Sequence, residues 1–337
     1  MMYNWYIRLI GLATVLSLIV VVMGAWVRLT DAGLGCPDWP GCYGSLIVPE
    51  TEQAKAEANA AFPERPVEAA KAWNEMIHRY AASTLGFSIL LAALIAWLNR
   101  RDAQQPVAVP VILLGVVIFQ GLLGMWTVTL LLKPLIVMGH LLGGMTTLGM
   151  CFWLLLNHLR RERVASVAGR PVVGLALAAL VVLVCQIALG GWTSSNYAAL
   201  ACPDLPTCQG QWWPDDADFA EGFVMWRGLG VDYEGGILEA PARVAIHYTH
   251  RLGAMVTFLL LGFVALSAIR RKDDPGVRLA GQFVVVALVA QVAIGIGTVW
   301  FGLPLVLASA HNGVAAVLLL SVINLNHSAS LSAAAPA

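Results

Sequence analysis

Charged residues are scarce in this chain of 337 residues, where Asp, Glu, Lys and Arg together make up only 12% of the sequence. Hydrophobic residues make up 59%, well above the usual share in a soluble domain. The 20 basic and 20 acidic residues balance, and no basic tail or patch indicates a nucleic-acid partner. This composition excludes an ordinary water-soluble enzyme and indicates a protein that folds in a lipid bilayer.

A signal-peptide cleavage site is also missing. No A-x-A cleavage site directly follows the first apolar segment, and that segment is longer than the hydrophobic region of a typical signal peptide. We therefore expect the first segment to remain in the protein as a membrane span.

Eight apolar segments are long enough to cross a bilayer as helices, which takes about 20 residues. Four lie in each half of the chain, and several contain Gly, Thr and His, which suits helices that pack on one another. We therefore predict an all-α integral membrane protein with eight transmembrane helices. The predicted spans are residues 7–29, 76–98, 107–132, 135–158, 171–193, 243–268, 279–301 and 304–325.

The two halves of the sequence repeat each other. A C-P-D-x-P-x-C motif occupies Cys36–Cys42 and returns at Cys202–Cys208. An even number of spans per half keeps both halves in one orientation, so we predict a parallel repeat of two homologous four-helix bundles, with domains at 1–165 and 166–337. Further matching pairs are Trp26 with Trp192, His78-Arg79 with His250-Arg251, Gln120 with Gln291, Gly124 with Gly295, and His140 with His311.

The basic residues indicate which side of the membrane each loop faces. They cluster after the even-numbered spans, and the positive-inside bias makes those loops cytoplasmic. Both termini are then cytoplasmic, the long acidic loops 30–75 and 194–242 face outward, and we expect a bacterial inner-membrane protein. No pattern assigns a role to the stretch 209–240. The clustered basic residues are Arg100, Arg101, Arg160, Arg161, Arg163, Arg170, Arg270, Arg271, Lys272 and Arg278.

Four of the six cysteines lie in the outward loops, in a compartment that permits disulfides. Each pair encloses a short loop with two prolines that bends the chain back on itself, so we predict the disulfides Cys36–Cys42 and Cys202–Cys208. A metal site is disfavoured, because the spacing is wide and neither loop contains a nearby histidine. Cys151 and Cys185 lie in predicted spans and are expected to be small core residues.

Five of the seven histidines lie near the outer ends of even-numbered spans. Ionisable residues are costly inside a membrane and usually have a function there. One histidine on an apolar helix would more often be a hydrogen-bonded core residue, but four at matching depth, one on each even-numbered span, are hard to explain that way. These four are His78, His140, His250 and His311. His158 and His327, near the cytoplasmic helix ends, are expected to be solvated.

The division of these histidines into two per half favours haem over zinc. Zinc prefers a tetrahedral cluster of ligands, whereas two imidazoles from facing helices of a bundle suit the axial positions of a haem iron. The chain has no C-x-x-C-H motif, so such a haem would be held noncovalently. We predict a bis-histidine haem in each half, with room provided by the small residues Gly143, Gly144, Gly253 and Gly313.

The halves differ three residues before the first histidine of each pair, where Glu75 precedes His78 and His247 precedes His250. Residues three apart share a helix face, so either side chain could point toward the site. Glu75 has two interpretations: a functional carboxylate, or a first-turn carboxylate stabilised by the helix dipole, with Asn74 as the N-cap. His247 could likewise be an accessory residue or a polar residue at the membrane interface.

An arginine follows the first histidine in both halves. Arg79 and Arg251 could pair with haem propionates at the outer rim of each site, or simply with lipid headgroups. We treat both arginines as accessory residues.

Taken together, these features resemble the haem A synthase family over nearly the whole chain. The resemblance includes the eight spans in two halves, the histidine on each even-numbered span and the paired outer cysteines. It also includes four local motifs: E-x-x-H-R at Glu75–Arg79, G-H at 139–140, H-R-L-G at 250–253 and H-N-G at 311–313.

The resemblance implies that the chain oxidises the C8 methyl of haem O to a formyl group, which yields haem A for terminal oxidases. His78 and His140 would bind the substrate haem O, and Glu75 would be needed for the chemistry. His250 and His311 would bind the iron of a haem b cofactor. The resemblance further implies a Cys202–Cys208 disulfide, whereas the N-terminal pair varies across the family. A redox iron suits this reaction, because side-chain acids and bases alone do not functionalise a methyl C–H bond.

Two other functions remain open from the sequence. A diheme b-type electron-transfer protein would have functionally equivalent halves, which the difference between Glu75 and His247 disfavours. A haem transporter or carrier would have a loose site with one labile ligand and would form no product. The expected partners are haem O, the haem O synthase that supplies it, membrane lipid and an electron acceptor, and a homo-oligomer is compatible with the sequence.

Overall fold

The computed structural model describes residues 2–160 and 171–333, and within these ranges it contains helices and no β-strand. Eight of the helices are long and apolar enough to span a membrane, so the prediction of an eight-span integral membrane protein is confirmed. These are α1 (Met2–Leu29), α3 (Ala69–Leu98), α4 (Ala108–Thr129), α5 (Pro134–Leu159), α6 (Pro171–Ser195), α8 (Ala240–Ile269), α9 (Pro275–Trp300) and α10 (Leu305–Ala333). Two shorter helices, α2 (Glu52–Ala61) and α7 (Phe219–Gly222), lie in the connecting loops.

Several spanning helices extend past their apolar segments, because backbone hydrogen bonding continues where hydropathy falls. Helix α3 begins at Ala69, about two turns before the predicted span, and Glu68 occupies its N-cap position. Glu75 therefore lies in the second turn of α3. The interpretation of Glu75 as a first-turn carboxylate with Asn74 as the cap is wrong.

The chain forms two compact units. In the first unit, α1 packs on α3 and α3 packs on α4; in the second unit, α8 packs on α9 and α9 packs on α10. The first unit comprises Met1–Thr147, Ser195–Tyr197 and Val224–Leu238, and the second comprises Leu148–Ser194, Ala198–Phe223 and Glu239–Ala337. The segment 224–238 thus belongs to the first unit although it directly precedes α8 in sequence, and we call it the strap.

The strap attaches to the first unit through a buried tyrosine and an ion-pair cluster. Tyr233 is buried among Leu34, Val128 and Leu132, and its backbone N–H donates to the Leu131 carbonyl at 3.1 Å. In the same region, the guanidinium of Arg65 forms salt bridges with Asp232 and with Glu234. These contacts give a packing role to part of the stretch 209–240, to which the sequence pattern assigned none.

A lysine that precedes α5 forms the second attachment of the strap. The side chain of Lys133 is buried, and its ammonium group donates to the Arg227 carbonyl at 2.6 Å. The same group lies 3.4 Å from the ring centroid of Trp226, which is a cation–π contact. The turn between α4 and α5 is therefore held against the strap by a charge buried under an aromatic ring.

Two expectations for residues outside the main sites are corrected by the structure. His327 is buried rather than solvated, because α10 continues to Ala333; its Nε2 lies 2.8 Å from Asn157 Oδ1 and its ring packs against Trp153. Cys151 is buried as expected, but Cys185 is exposed on the surface of α6.

Candidate functional site

In the first unit, the structure brings His78 on α3 near His140 on α5. The His78 ring hydrogen-bonds to the backbone carbonyl of Val20 on α1. On α5, the carbonyl of His140 accepts a 2.6 Å hydrogen bond from Gln120 Nε2 of α4, while His140 Nδ1 is buried with no hydrogen-bond partner in the described ranges.

The second unit pairs His250 on α8 with His311 on α10 in the same manner. Gln186 Nε2 of α6 lies 3.0 Å from both the Nδ1 and the carbonyl oxygen of His250. Gln291 Nε2 of α9 lies 3.3 Å from His311 Nε2, and His311 Nδ1 is buried without a partner among the described residues. Each unit therefore contains one pair of imidazoles from two spanning helices.

Each of the four imidazoles packs against a glycine of a neighbouring helix. A Cβ added to Gly24 would lie 3.2 Å from the His78 ring, and one added to Gly295 would lie only 2.8 Å from the His311 ring. The corresponding distances are 3.3 Å from Gly124 to His140 and 3.3 Å from Gly190 to His250. In three cases the glycine follows a glutamine by four residues, so that both lie on one helix face: Gln120-Gly124, Gln186-Gly190 and Gln291-Gly295.

This donor set fits a haem in each unit. Two imidazoles from facing helices are typical axial ligands of a haem iron. The Nδ1 atoms of His140 and His311 are buried without a hydrogen-bond partner among the described residues, and such buried polar atoms call for a bound group. No three His, Cys, Asp or Glu side chains gather into a metal site within the described residues, which disfavours a tetrahedral zinc centre.

Glu75 lies one turn before His78 and is buried, with its carboxylate bound on both oxygens. Its Oε2 accepts the backbone N–H of Cys36 at 2.9 Å, and its Oε1 accepts from the guanidinium of Arg79 at 2.5 Å. A buried carboxylate is stable when it is paired and hydrogen-bonded in this way. The network fixes the orientation of Glu75 on α3.

His247 occupies the corresponding place in the second unit. It is buried, and its Nδ1 accepts the backbone N–H of Cys202 at 3.1 Å. His247 is therefore a buried polar residue that binds the second cysteine loop. Each unit has a side chain that binds the N–H of the first cysteine of its loop, but only the first unit uses a carboxylate.

The two arginines bind the cysteine loops through their guanidinium groups. Arg79 donates to the Asp38 carbonyl at 3.0 Å and also to the carbonyls of Pro40 and Gly41. Arg251 donates to the carbonyls of Asp204 at 2.7 Å and Thr207 at 2.9 Å, and to that of Cys202. Arg79 and Arg251 therefore each hold a cysteine loop next to the first histidine of the pair in the same unit.

The cysteine loops have the same local structure. Cys36 is bonded to Cys42, and Cys202 to Cys208, as predicted. The aspartate of each C-P-D motif closes the following turn. Asp38 accepts the N–H groups of Tyr43 and Gly44, both at 2.7 Å, and Asp204 accepts those of Gln209 at 2.6 Å and Gly210 at 2.9 Å. The Thr207 hydroxyl, together with these backbone N–H groups, lowers the pKa of Asp204 to about 2.

The sequence pattern did not identify Gln186, Gly24 or Gly190 as neighbours of the histidines. A search for Q-x-x-x-G on the helices before each histidine would have found Gln186-Gly190 beside the pairs already matched at 120–124 and 291–295. Helix α1 has Val20 in place of the glutamine, and its backbone carbonyl hydrogen-bonds to His78 there.

Comparison with known proteins identifies the family of this chain. The sequence model of the COX15-CtaA family, described as cytochrome oxidase assembly protein, matches residues 7–323. The chain belongs to this family.

Curated proteins named heme A synthase are similar over nearly their full length. That of Shewanella oneidensis is 43% identical over 328 residues, which cover 97% of this chain and 96% of the relative. That of Caulobacter vibrioides is 29% identical and that of Halalkalibacterium halodurans 26% identical, with 89% and 93% of each chain covered, respectively.

We expect Gly295→Ala to displace the imidazole of His311. The added Cβ would lie 2.8 Å from the His311 ring, closer than real Cβ contacts allow, so the ring or α9 must shift. The absorption and electron paramagnetic resonance spectra of bound haem should change. Gly262→Ala on α8 is the matched control, because its Cβ would meet nothing within 4 Å and its spectra should stay the same. Identical spectra for both variants would show that Gly295 does not position His311.

Proposed function

We propose that this protein oxidises the C8 methyl of haem O to a formyl group and so makes haem A for terminal oxidases. The observation that best supports this function is the difference between two otherwise matching sites. Both units hold a pair of imidazoles and a cysteine loop, but the carboxylate of Glu75 is present only in the first. A pure electron carrier has no need of such a carboxylate, whereas the oxidation of a methyl group must also remove protons.

In this proposal the first unit is the substrate site. His78 and His140 bind haem O, and the glycines beside the two rings leave space for their imidazoles against α1 and α4. Glu75 accepts a proton released from the substrate or stabilises positive charge that develops at the oxidised carbon. Arg79 and the Cys36 N–H hold the two carboxylate oxygens in a fixed orientation for that role.

The second unit is the cofactor site. His250 and His311 would hold haem b, which supplies one-electron redox chemistry when bound. Gln186 and Gln291 contact these imidazoles and orient them, as residues beside metal ligands commonly do. His247 replaces the carboxylate with a neutral hydrogen-bond acceptor, which suits a site that transfers electrons without releasing substrate protons.

Other parts of the proposal concern location and partners. The basic loops after the even-numbered spans support a bacterial inner-membrane protein with both termini in the cytoplasm and the histidines toward the outer side. The domains would be 1–165 and 166–337 in sequence. The strap lies in the second of these domains by sequence but packs within the first compact unit. A haem O synthase would deliver the substrate, and a separate acceptor would take the electrons.

Pigment extraction from a host that makes haem O but no haem A tests this proposal. We expect haem A to appear in extracts only when the protein is expressed, with haem O falling in proportion. Haem that stays entirely as haem O while the purified protein contains bound haem would contradict the proposal and favour a carrier or an electron-transfer protein. A variant with both His78→Ala and His140→Ala serves as the inactive control.

A further inference from the structure

The tips of the two cysteine loops expose apolar side chains. Directly after the first disulfide, Leu46 and Ile47 are 70% and 61% exposed. At the corresponding place after the second disulfide, Trp212 and Trp213 are 75% and 58% exposed. Large apolar residues exposed in pairs at matching positions need a covering partner, because contact with water would be unfavourable.

Both tips are held in a fixed conformation. Cys42 and Ser45 exchange backbone hydrogen bonds in the first loop, and Cys208 and Gln211 do so in the second. The carbonyl of the first tip residue then accepts a tyrosine hydroxyl from a spanning helix in each unit. Tyr80 of α3 donates to the Leu46 carbonyl, and Tyr248 of α8 donates to the Trp212 carbonyl at 2.6 Å.

These tyrosines place the tips beside the outermost part of the apolar spans. Tyr80 lies about one turn inside the apolar segment 76–98, and Tyr248 lies about one turn inside the segment 243–268. Tyrosine and tryptophan are enriched at this depth, where a ring can lie among the lipid chains and its polar atom among the headgroups. This depth along the spans favours the bilayer interface over bulk water as the surroundings of the tips.

In each unit the tip continues an exposed flank of its helix. On α3, Ile77, Tyr80 and Phe87 lie on one side and are all exposed. On α8, Leu252, Met255 and Leu259 are exposed along the side that begins at Tyr248. Because these flanks belong to membrane-spanning helices, the only extended apolar surroundings available to them in the spanning region are lipid or another protein chain.

We propose that the two loop tips, Leu46-Ile47 and Trp212-Trp213, insert into the interfacial layer of the phospholipid bilayer and anchor the cysteine loops there. The tips contact lipid rather than another protein chain, since each tip continues a membrane-spanning surface and the tip Trp212-Trp213 has the residue type of the interface. In the second unit, Trp213 stacks on Phe219 and meets Tyr248 edge to face, which holds its indole at this level. This inference does not depend on the reaction proposed above.

Photocrosslinking of the full-length protein in phosphatidylethanolamine–phosphatidylglycerol vesicles tests the anchoring. A benzophenone amino acid is placed at position 46 or 212, at position 263 as a lipid-facing control, and at position 60 on the charged helix α2 as a water-facing control. We expect illumination to add the mass of one phospholipid at positions 46 and 212, as at 263. Positions 46 and 212 behaving like position 60, or forming crosslinks to a protein chain, would overturn the proposal.

A second measurement avoids the unnatural residue. The emission of the unmodified protein minus that of Trp212→Phe gives the contribution of Trp212, which lipids brominated near the headgroup should quench strongly. Aqueous iodide should quench it weakly. The reverse order of quenching would place Trp212 in water and contradict the anchoring.

Discussion

Replacing Glu75 with Gln should lower haem A formation by about a hundredfold or more, the usual scale for losing a group that transfers a proton or stabilises developing charge. The amide has the shape of the carboxylate, and its oxygen can still accept the Cys36 N–H. It cannot take up a proton at neutral pH, and it cannot balance the charge of Arg79. We expect the variant to accumulate haem O or a partly oxidised product, measured by chromatography of extracted haems.

The control for Glu75→Gln is Glu68→Gln, at the N-cap position of the same helix, where the side chain makes no cap hydrogen bond. It should retain near-normal haem A formation. Retention of the spectrum expected from the His250–His311 site would show that Glu75→Gln protein is folded. Near-normal haem A from such folded protein would reduce Glu75 to a structural anchor for the Cys36 loop.

Replacing His250 with Ala should abolish the low-spin bis-histidine spectrum of the second unit. The imidazole is one of two that could bind iron there, and the alanine leaves His311 as the remaining ring. Haem content per protein should fall, and haem A formation with it, because the electron path from the substrate site would be lost. Visible absorption and electron paramagnetic resonance measure the low-spin spectrum. Pyridine haemochrome assays measure the haem content and the amount of haem A.

Two comparisons separate ligand loss from misfolding. His158→Ala, at the C-terminal end of α5 and about five turns beyond His140, should leave the spectrum and haem content unchanged. Added imidazole should restore part of the low-spin signal in His250→Ala if the fold is intact. An unaltered low-spin spectrum in His250→Ala without added imidazole would remove this residue from the ligand set.

The number and approximate position of the spans could be predicted from the sequence, because lipid requires long apolar helices. The helical turns that continue beyond the apolar segments could not be predicted. The start of α3 at Ala69 depends on a backbone that stays helical beyond the apolar segment, and this start decides that Glu75 is not a first-turn residue. The burial of His327 was missed for the same reason, since α10 continues to Ala333.

The paired histidines and cysteines could be predicted from the internal repeat. The side chains that contact these histidines were harder to predict. Gln186 lies on α6 and His250 on α8, and no local sequence pattern links the two positions. The attachment of Arg79 and Arg251 to loop carbonyls also depends on tertiary packing, which brings a helix under a loop some forty residues earlier in sequence.

The strap limits how far the two halves are autonomous modules. A chain cut between α5 and α6 would produce an N-terminal fragment that lacks Tyr233, Asp232 and Glu234, so Arg65 would lose both ion-pair partners and the pocket formed by Leu34, Val128 and Leu132 would open to solvent. If the repeat arose by gene duplication, the first copy has since come to depend on a loop encoded by the second. Recombination of halves between distant relatives should therefore fail unless the strap is transferred with the half that it covers.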